Sequence, residues 1–171
     1  MLLFLDVDGP LIPFGAEDRA YPVYDSPYPV HGSGPAPPPD AAGHPLLNRV
    51  DPALGRRLTG LGCELVWATT WMDEANTLLA RRLGLPPLPV VEWPDEVEPP
   101  DLLHWKTRPL VAWAAGRPFI WVDDELTEAD RAWVAARHPR PALLHRVDHR
   151  YGLTDADFTV MREWLDTTEP G

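Results

Sequence analysis

Residues 1–10 read MLLFLDVDGP, so two aspartates and a turn come directly after a short apolar run. An unbroken apolar run of this length is typical of a strand buried on both faces, as in a parallel sheet. Asp6 and Asp8 follow the run, and Gly9-Pro10 forces the chain to turn. Carboxylates at the end of a core strand predict a functional site at that edge of the sheet, where α/β proteins bind ligands.

Polar side chains follow an apolar run at two further places. Thr69 and Thr70 come after LVWA, and Asp123 and Asp124 come after FIWV. Because the strand ends of a parallel sheet converge on one edge, we expect these side chains to share a single site. Four carboxylates so close together would resist ionisation unless a divalent cation neutralised them, and a set of oxygen ligands favours Mg²⁺.

Strand and helix patterns alternate along the chain. Further strands are predicted at 63–68, 90–91, 119–122 and 142–147, with helices beginning near Asp51, Thr69, Pro109, Thr127 and Thr154. Thr127 and Asp130 resemble a capping box. The alternation predicts a three-layer α/β fold with a mostly parallel, doubly wound sheet, and residues 1–171 are expected to form a single domain.

The segment 13–45 interrupts this regularity and is rich in proline and glycine. A structureless stretch of this length inside a compact domain is unusual and is often functional. Its position after the DVDG turn favours a loop or small cap that acts as a lid. The alternative is a solvated loop.

Composition limits the classes of function. A formal net charge of -11 argues against a broad nucleic-acid-binding surface, although a local basic groove is compatible with it. The single cysteine, Cys63, excludes an intrachain disulfide and a cysteine-rich zinc site. The first apolar run is too short for a signal peptide or a membrane span, so no membrane partner and a cytoplasmic location are expected.

The order LDVDG, WATT, a lone lysine (Lys106) and WVDD resembles the four motifs of the haloacid dehalogenase-like (HAD) hydrolase superfamily. The resemblance spans nearly the whole chain. The end of the chain, with YGLT before a helix that carries Trp164 and Leu165, further resembles small bacterial HAD domains attached to RNA-repair proteins. The resemblance implies a HAD-like Rossmannoid fold and a Mg²⁺-dependent phosphatase.

The resemblance also implies roles for individual residues. Asp6 would be the nucleophile that forms an aspartyl-phosphate, and Asp8 the general acid and base. Thr69 would donate a hydrogen bond to the phosphoryl oxygens, with Thr70 as the alternative. Lys106 would offset the negative charge on these oxygens and on Asp6.

The metal would be held by Asp6, Asp123 and the backbone carbonyl of Asp8. Asp124 would be a direct or a water-mediated ligand. Together these give a predicted metal set of Asp6, Asp8, Asp123 and Asp124.

Each assignment has a simpler alternative. Asp6 and Asp8 can be helix caps or turn formers, and Thr69 and Thr70 can cap the next helix. Lys106 can be a solvated surface charge, and the acidic run 123–125 can be an ordinary helix start. Trp71 and Trp105 flank proposed site residues, and the hypothesis that they stack on a substrate ring competes with simple core packing.

Other functions are weighed by motif order. In a phosphorylatable receiver domain the acidic pair comes first in the sequence. Here the pair Asp123-Asp124 comes last, which argues against a receiver domain. A dehalogenase lacks the second aspartate of DxD, so Asp8 favours phosphate chemistry over carbon–halogen cleavage. A metal-dependent glycosyltransferase also uses DxD to hold a nucleotide-sugar, and it remains a minor alternative. The main competitor is a catalytically weak HAD-fold module that holds Mg²⁺ and a phosphorylated ligand. The expected substrate is a phosphorylated small molecule, a nucleotide or a nucleic-acid end; the sequence does not choose among them, nor does it indicate the oligomeric state.

Overall fold

The computed structural model describes residues 1–25, 45–94 and 102–168. The strands within these ranges are β1 (Leu2–Leu5), β2 (Glu64–Trp67), β3 (Phe119–Asp123) and β4 (Ala142–Arg146). The α-helices are α1 (Ala53–Thr59), α2 (Arg81–Leu83), α3 (Thr107–Ala114), α4 (Glu128–Arg137) and α5 (Asp155–Thr168). A 3₁₀ turn (Leu47–Arg49) precedes α1, and a π-helical segment (Ala75–Ala80) leads into α2.

The four strands form one parallel sheet in the order β2-β1-β3-β4. Both β1 and β3 lie in the interior of the sheet and are buried along their whole length, which explains their unbroken apolar sequences. The outer strand β4 is less buried and carries polar residues. The predicted strand at 90–91 is reduced to a single parallel bridge between Val90 and Trp67.

Helices pack on both faces of the sheet. Alternating side chains of β1 point to opposite sides, so that Leu3 and Leu5 join a core with α1, α2 and α5. Leu2 and Phe4 join a second core with α3 and α4. This three-layer arrangement confirms the predicted α/β architecture.

A side-chain cap fixes where α4 begins, and a side-chain hydrogen bond also lies at the start of α1. The predicted capping box is present at α4, where the Thr127 hydroxyl accepts from Asp130 N and the Asp130 carboxylate accepts from Thr127 N. At α1, Asp51 Oδ1 accepts a hydrogen bond from Ala53 N at 2.8 Å. The helix predicted from Asp51 therefore begins at Ala53.

The helix predicted after Thr69 is irregular, since residues 75–80 form π-helical turns, and Asn76 in these turns contacts the end of β2. Asn76 Oδ1 accepts hydrogen bonds from Trp67 Nε1 (2.9 Å) and from Leu88 N (2.8 Å). Its Nδ2 donates to Leu88 O at 2.9 Å. The π-helical turns that contain Asn76 thus lie beside the strand that leads to Thr69, and π-helical turns occur frequently near functional sites.

The start of the proline-rich insertion, 13–25, contains no helix or strand. Phe14 N donates to His149 O at 2.9 Å, which attaches this stretch to the loop after β4. The rest of the predicted lid, 26–44, lies outside the described residues, as does 95–101. None of the described helices combines the length and the apolar character needed to cross a membrane.

Candidate active site

Two of the predicted aspartates meet where β1 and β3 end. Asp6 follows the last residue of β1, and Asp123 is the last residue of β3. These strands are neighbours in register, with Leu5 opposite Val122, and Asp6 N donates to Val122 O at 3.0 Å. The convergence predicted from the strand-end pattern is therefore present in the fold.

Lys106 joins the two carboxylates. Its Nζ lies 2.9 Å from Asp6 Oδ2 and 2.9 Å from Asp123 Oδ2. All three side chains are buried, with relative exposures of 4% for Lys106, 8% for Asp6 and 0% for Asp123. Lys106 directly precedes α3 and is a buried, doubly paired cation, in contrast to the surface charge of the simpler alternative.

The charge balance of this cluster is incomplete. Burial and the neighbouring Asp123 raise the pKa of Asp6 to about 7, although Lys106 acts to lower it. Burial would lower the pKa of Lys106, but the two carboxylates hold it above its usual value. Burial and Asp123 also raise the pKa of Asp124. One ammonium group does not neutralise three buried carboxylates, which is the condition that a divalent cation relieves.

Asp6, Asp123 and Asp124 form a group suited to a metal ion. Each offers one carboxylate oxygen, and these oxygens lie within 4.8 Å of one another. The donor set contains only oxygen, which fits Mg²⁺ better than a transition metal. The carboxylate of Asp8 is not part of this group; it accepts a hydrogen bond from Trp71 Nε1 at 2.9 Å. The Asp8 carbonyl as a ligand stays a prediction.

Gly9 allows the turn after β1 to approach Asp124. Its φ of +85° lies in the left-handed region, and Gly9 N donates to Ile12 O at 3.1 Å. A Cβ on this residue would lie 2.6 Å from Asp124 Cγ, closer than packed atoms allow. Only glycine therefore fits the DVDG turn against the third carboxylate.

Thr69 is fully buried at the end of β2, while Thr70 is exposed. Thr69 Oγ1 accepts a hydrogen bond from Trp71 N at 3.3 Å, and the Thr69 carbonyl accepts one from Trp93 Nε1 at 3.0 Å. The contact with Trp71 N is the one expected if Thr69 begins the next turn. Phosphate binding by the Thr69 hydroxyl stays a prediction.

A family model described as the HAD domain in Swiss Army Knife RNA repair proteins matches residues 2–158. The chain belongs to this HAD family. Both resemblances drawn from the sequence, to HAD hydrolases broadly and to RNA-repair HAD domains, are thereby confirmed, and a HAD-fold hydrolase is supported in general. No curated protein and no solved structure matches the chain.

In this HAD domain, Asp130 supports the segment that carries Lys106. Asp130 Oδ1 accepts hydrogen bonds from His104 N at 2.8 Å and from Thr107 Oγ1 at 2.7 Å. Lys106 N donates to His104 Nδ1 at 3.2 Å, so Nε2 is the protonated nitrogen that donates to Glu125 Oε2 at 3.1 Å. Residues on both sides of Lys106 are thus fixed to α4.

Sequence reasoning missed His104 and the second role of Asp130. The capping box identified Asp130 only as the partner of Thr127. Composition also indicated that this segment is unusual, because Lys106 is the only lysine in a chain whose other basic side chains are arginine and histidine.

Tryptophans surround the site of the HAD domain. The rings of Trp93 and Trp105 meet edge to face with centroids 4.9 Å apart, and Lys106 Nζ lies 5.7 Å from the centroid of Trp105. Trp71 Nε1 donates a hydrogen bond to the Asp8 carboxylate. Trp71 and Trp105 therefore both adjoin proposed site residues, while stacking on a substrate ring stays a prediction.

Proposed function

We propose that the protein is a Mg²⁺-dependent phosphomonoester hydrolase that works through an aspartyl-phosphate on Asp6. The observation that carries the proposal is the buried bridge from Lys106 to Asp6 and Asp123, both at 2.9 Å. A phosphoryl group is transferred mainly by positioning and charge neutralisation, and this cluster offers a nucleophile, a fixed cation and metal ligands together.

Mg²⁺ would be held by the carboxylates of Asp6, Asp123 and Asp124 and by the carbonyl of Asp8. When bound, it supplies positive charge to the phosphoryl oxygens. The raised pKa of Asp6 supports this assignment, because a second cation beside the carboxylate favours its ionised, nucleophilic form.

The first step transfers the phosphoryl group to the protein. An oxygen of Asp6 attacks phosphorus, the ester P–O bond breaks, and the carboxyl group of Asp8 donates a proton to the leaving oxygen. In the second step Asp8 takes a proton from water as the water oxygen attacks the same phosphorus, and the bond between phosphorus and the Asp6 oxygen breaks. Inorganic phosphate leaves, and the Asp6 carboxylate and protonated Asp8 are restored.

Three neighbours would assist these steps. Lys106 neutralises charge on the transferring group and on Asp6, and the Thr69 hydroxyl donates to a phosphoryl oxygen. Trp71 Nε1 holds the Asp8 carboxyl group in one orientation through its 2.9 Å hydrogen bond.

The substrate class follows less directly from the site. A phosphorylated small molecule, a nucleotide and a nucleic-acid end all present the same reacting group. The description of the family as a domain of RNA repair proteins favours a phosphorylated nucleic-acid end among these.

The test is phosphate release from an aryl phosphate, sugar phosphates, nucleotides and oligonucleotides phosphorylated at the 3′ or 5′ end. Wild type is compared with Asp6→Asn, with and without Mg²⁺. Asp155→Asn serves as the matched control, because that side chain is 94% exposed at the start of α5. We expect turnover that needs both Mg²⁺ and Asp6. Mg²⁺ binding without turnover of any ester would favour the regulatory binding module instead.

A further inference from the structure

Arg146 stands at the edge of the carboxylate site, on the outer strand. It is paired in register with Asp123, and its Nε donates to the Asp124 carbonyl at 2.9 Å. Arg146 is exposed and forms no ion pair within the described ranges. One nitrogen therefore anchors the guanidinium beside the metal ligands, while the terminal nitrogens are available to an anion.

Aromatic rings continue this edge. His149 Nδ1 lies 4.0 Å from Asp124 Oδ2, and the His149 ring stacks on Phe14 with centroids 4.8 Å apart and planes 24° apart. Phe14 is 39% exposed. A Cβ on Gly15 would lie 3.3 Å from the His149 ring, so glycine permits the close approach. The stacked pair presents an aromatic face next to the third carboxylate.

Tyr151 extends the same surface. Its side chain is 52% exposed, and the Arg19 guanidinium lies 5.0 Å from its ring centroid. Arg150 also approaches this ring, at 5.6 Å, but its charge is offset by Asp148. Arg19 and Arg146 are therefore the side chains here that add positive charge.

We propose that these side chains bind the single-stranded part of a polynucleotide next to its terminal phosphate. The surface is called the rim strip and consists of Phe14, Arg19, Arg146, His149 and Tyr151. The inference rests on the proposed function, since the carboxylate site would receive the terminal phosphate, and it adds the residues that would hold the rest of the substrate.

The chemistry of the rim strip favours a nucleic acid over other phosphorylated partners. Single-stranded nucleic acids are held by cations on the backbone and by aromatic faces on which bases stack. The rim strip supplies both, although the chain as a whole has a formal net charge of -11. An open depression of about 320 Å³ among residues 146–150 gives space beside the carboxylate site.

The first test measures binding without turnover. In an Asp6→Asn background with Mg²⁺, fluorescence anisotropy follows RNA and DNA oligonucleotides of about eight nucleotides, with a 5′- or a 3′-phosphate. Arg146→Ala and Phe14→Ala are each expected to weaken binding about tenfold. Arg146→Ala should also reduce the slope of log affinity against log salt by about 0.7. Arg146→Lys should retain most of that slope, which separates loss of charge from misfolding.

Arg140→Ala is the matched control, because Arg140 is an exposed arginine just before β4, at the opposite end of the strand from Arg146. It should bind like the parent. Equal losses for Arg140→Ala and Arg146→Ala would overturn the proposal, as would equally tight, Arg146-dependent binding of a phosphoserine peptide. A difference in affinity between RNA and DNA, or between 5′- and 3′-phosphorylated ends, would identify which polynucleotide the rim strip binds.

Turnover separates failure of the rim strip from failure of the proposed function. With Asp6 intact, Arg146→Ala should lower kcat/KM for a phosphorylated oligonucleotide about tenfold more than for an aryl phosphate. Aryl phosphate hydrolysis without oligonucleotide binding would overturn the rim strip and leave the phosphatase in place. Arg146-dependent oligonucleotide binding without hydrolysis of any ester would overturn the phosphatase and leave the rim strip in place.

Discussion

Trp71 Nε1 donates a hydrogen bond to Asp8 Oδ2 at 2.9 Å, joining residues 63 positions apart in the sequence. Trp71 also packs against the core, so its indole is a fixed donor aimed at the proposed general acid and base. The Asp8 carboxylate is thus held apart from those of Asp6, Asp123 and Asp124, whose oxygens lie close enough together to hold a metal ion. This arrangement is consistent with the separate proton-transfer role proposed for Asp8.

Replacing Trp71 with phenylalanine tests this orientation. Trp71→Phe keeps an aromatic ring in the core but removes the donor, so kcat for an aryl phosphate should fall about tenfold, the equivalent of about 1.4 kcal/mol in the barrier. Trp164→Phe is the control, because Trp164 is a partly buried core tryptophan on α5. Equal kcat values for the two variants would show that the contact with Asp8 does not matter for turnover.

Lys106 is expected to matter for both chemistry and stability. Lys106→Met removes the cation between Asp6 and Asp123, so kcat should fall about 10²–10³-fold. Two unpaired buried carboxylates should also lower the free energy of unfolding by about 3–5 kcal/mol without Mg²⁺. Mg²⁺ should restore part of this loss, as measured by urea denaturation with and without the ion. Arg140→Met, which alters an exposed cation just before β4, should change neither quantity appreciably.

Gly9→Ala tests the fit of the DVDG turn against Asp124. The left-handed backbone costs about 1–2 kcal/mol for alanine, and the Cβ contact at 2.6 Å from Asp124 Cγ adds to this cost. Gly62→Ala is a matched control, because Gly62 has a φ of +73° but nothing within 4 Å of its Cβ position. Gly9→Ala should be the less stable variant and should weaken Mg²⁺ binding by about tenfold or more. Equal stability and Mg²⁺ affinity in the two variants would contradict the fit.

The pH dependence of stability tests the network around Asp130. Burial alone would raise the pKa of Asp130, but hydrogen bonds from Thr107, Thr127 and His104 hold it below the usual value. A depressed pKa means that the ionised carboxylate stabilises the fold above the ordinary value of about 3.9, and that this contribution is lost as the pH falls through the native pKa.

Asp130→Asn should therefore be less stable than wild type by about 1–3 kcal/mol at about pH 6, and the difference should shrink below about pH 4. Urea denaturation of both proteins from about pH 6 to below about pH 4 measures this difference in the free energy of unfolding. Comparing the two proteins at each pH cancels the opposite contribution of Asp6, whose pKa is raised. A difference that stays constant with pH would contradict the ionised network. Asp166→Asn, at an exposed position on α5, is the control.

The sequence predicted the features that arise from local patterns. The apolar runs of β1 and β3 identify interior strands because both faces of such strands are buried. The capping box at Thr127 and Asp130 was predictable because its partners are three residues apart. The convergence of Asp6 and Asp123 followed from the rule that parallel strands end at one edge.

Features that depend on distant contacts were not predictable from those patterns. Asp130 also holds His104 and Thr107, 26 and 23 residues away. Asn76 in the π-helical turns forms hydrogen bonds with Trp67 and Leu88, and the hydrophobic periodicity of the sequence does not indicate these contacts. The burial of Lys106 likewise depends on how α3 packs against the sheet, and the local sequence does not specify this packing.

Peptide mapping of acid-quenched enzyme tests the central claim most directly, since it asks whether the phosphoryl group resides on Asp6 during turnover. Protein mixed with Mg²⁺ and an aryl phosphate is quenched in acid and digested, and the peptide that contains Asp6 is examined by mass spectrometry. We predict a phosphorylated Asp6, more abundant in Asp8→Asn if the second step slows most, and absent from Asp6→Asn. Sustained phosphate release with an unmodified Asp6 peptide, or turnover retained in Asp6→Asn, would contradict the account.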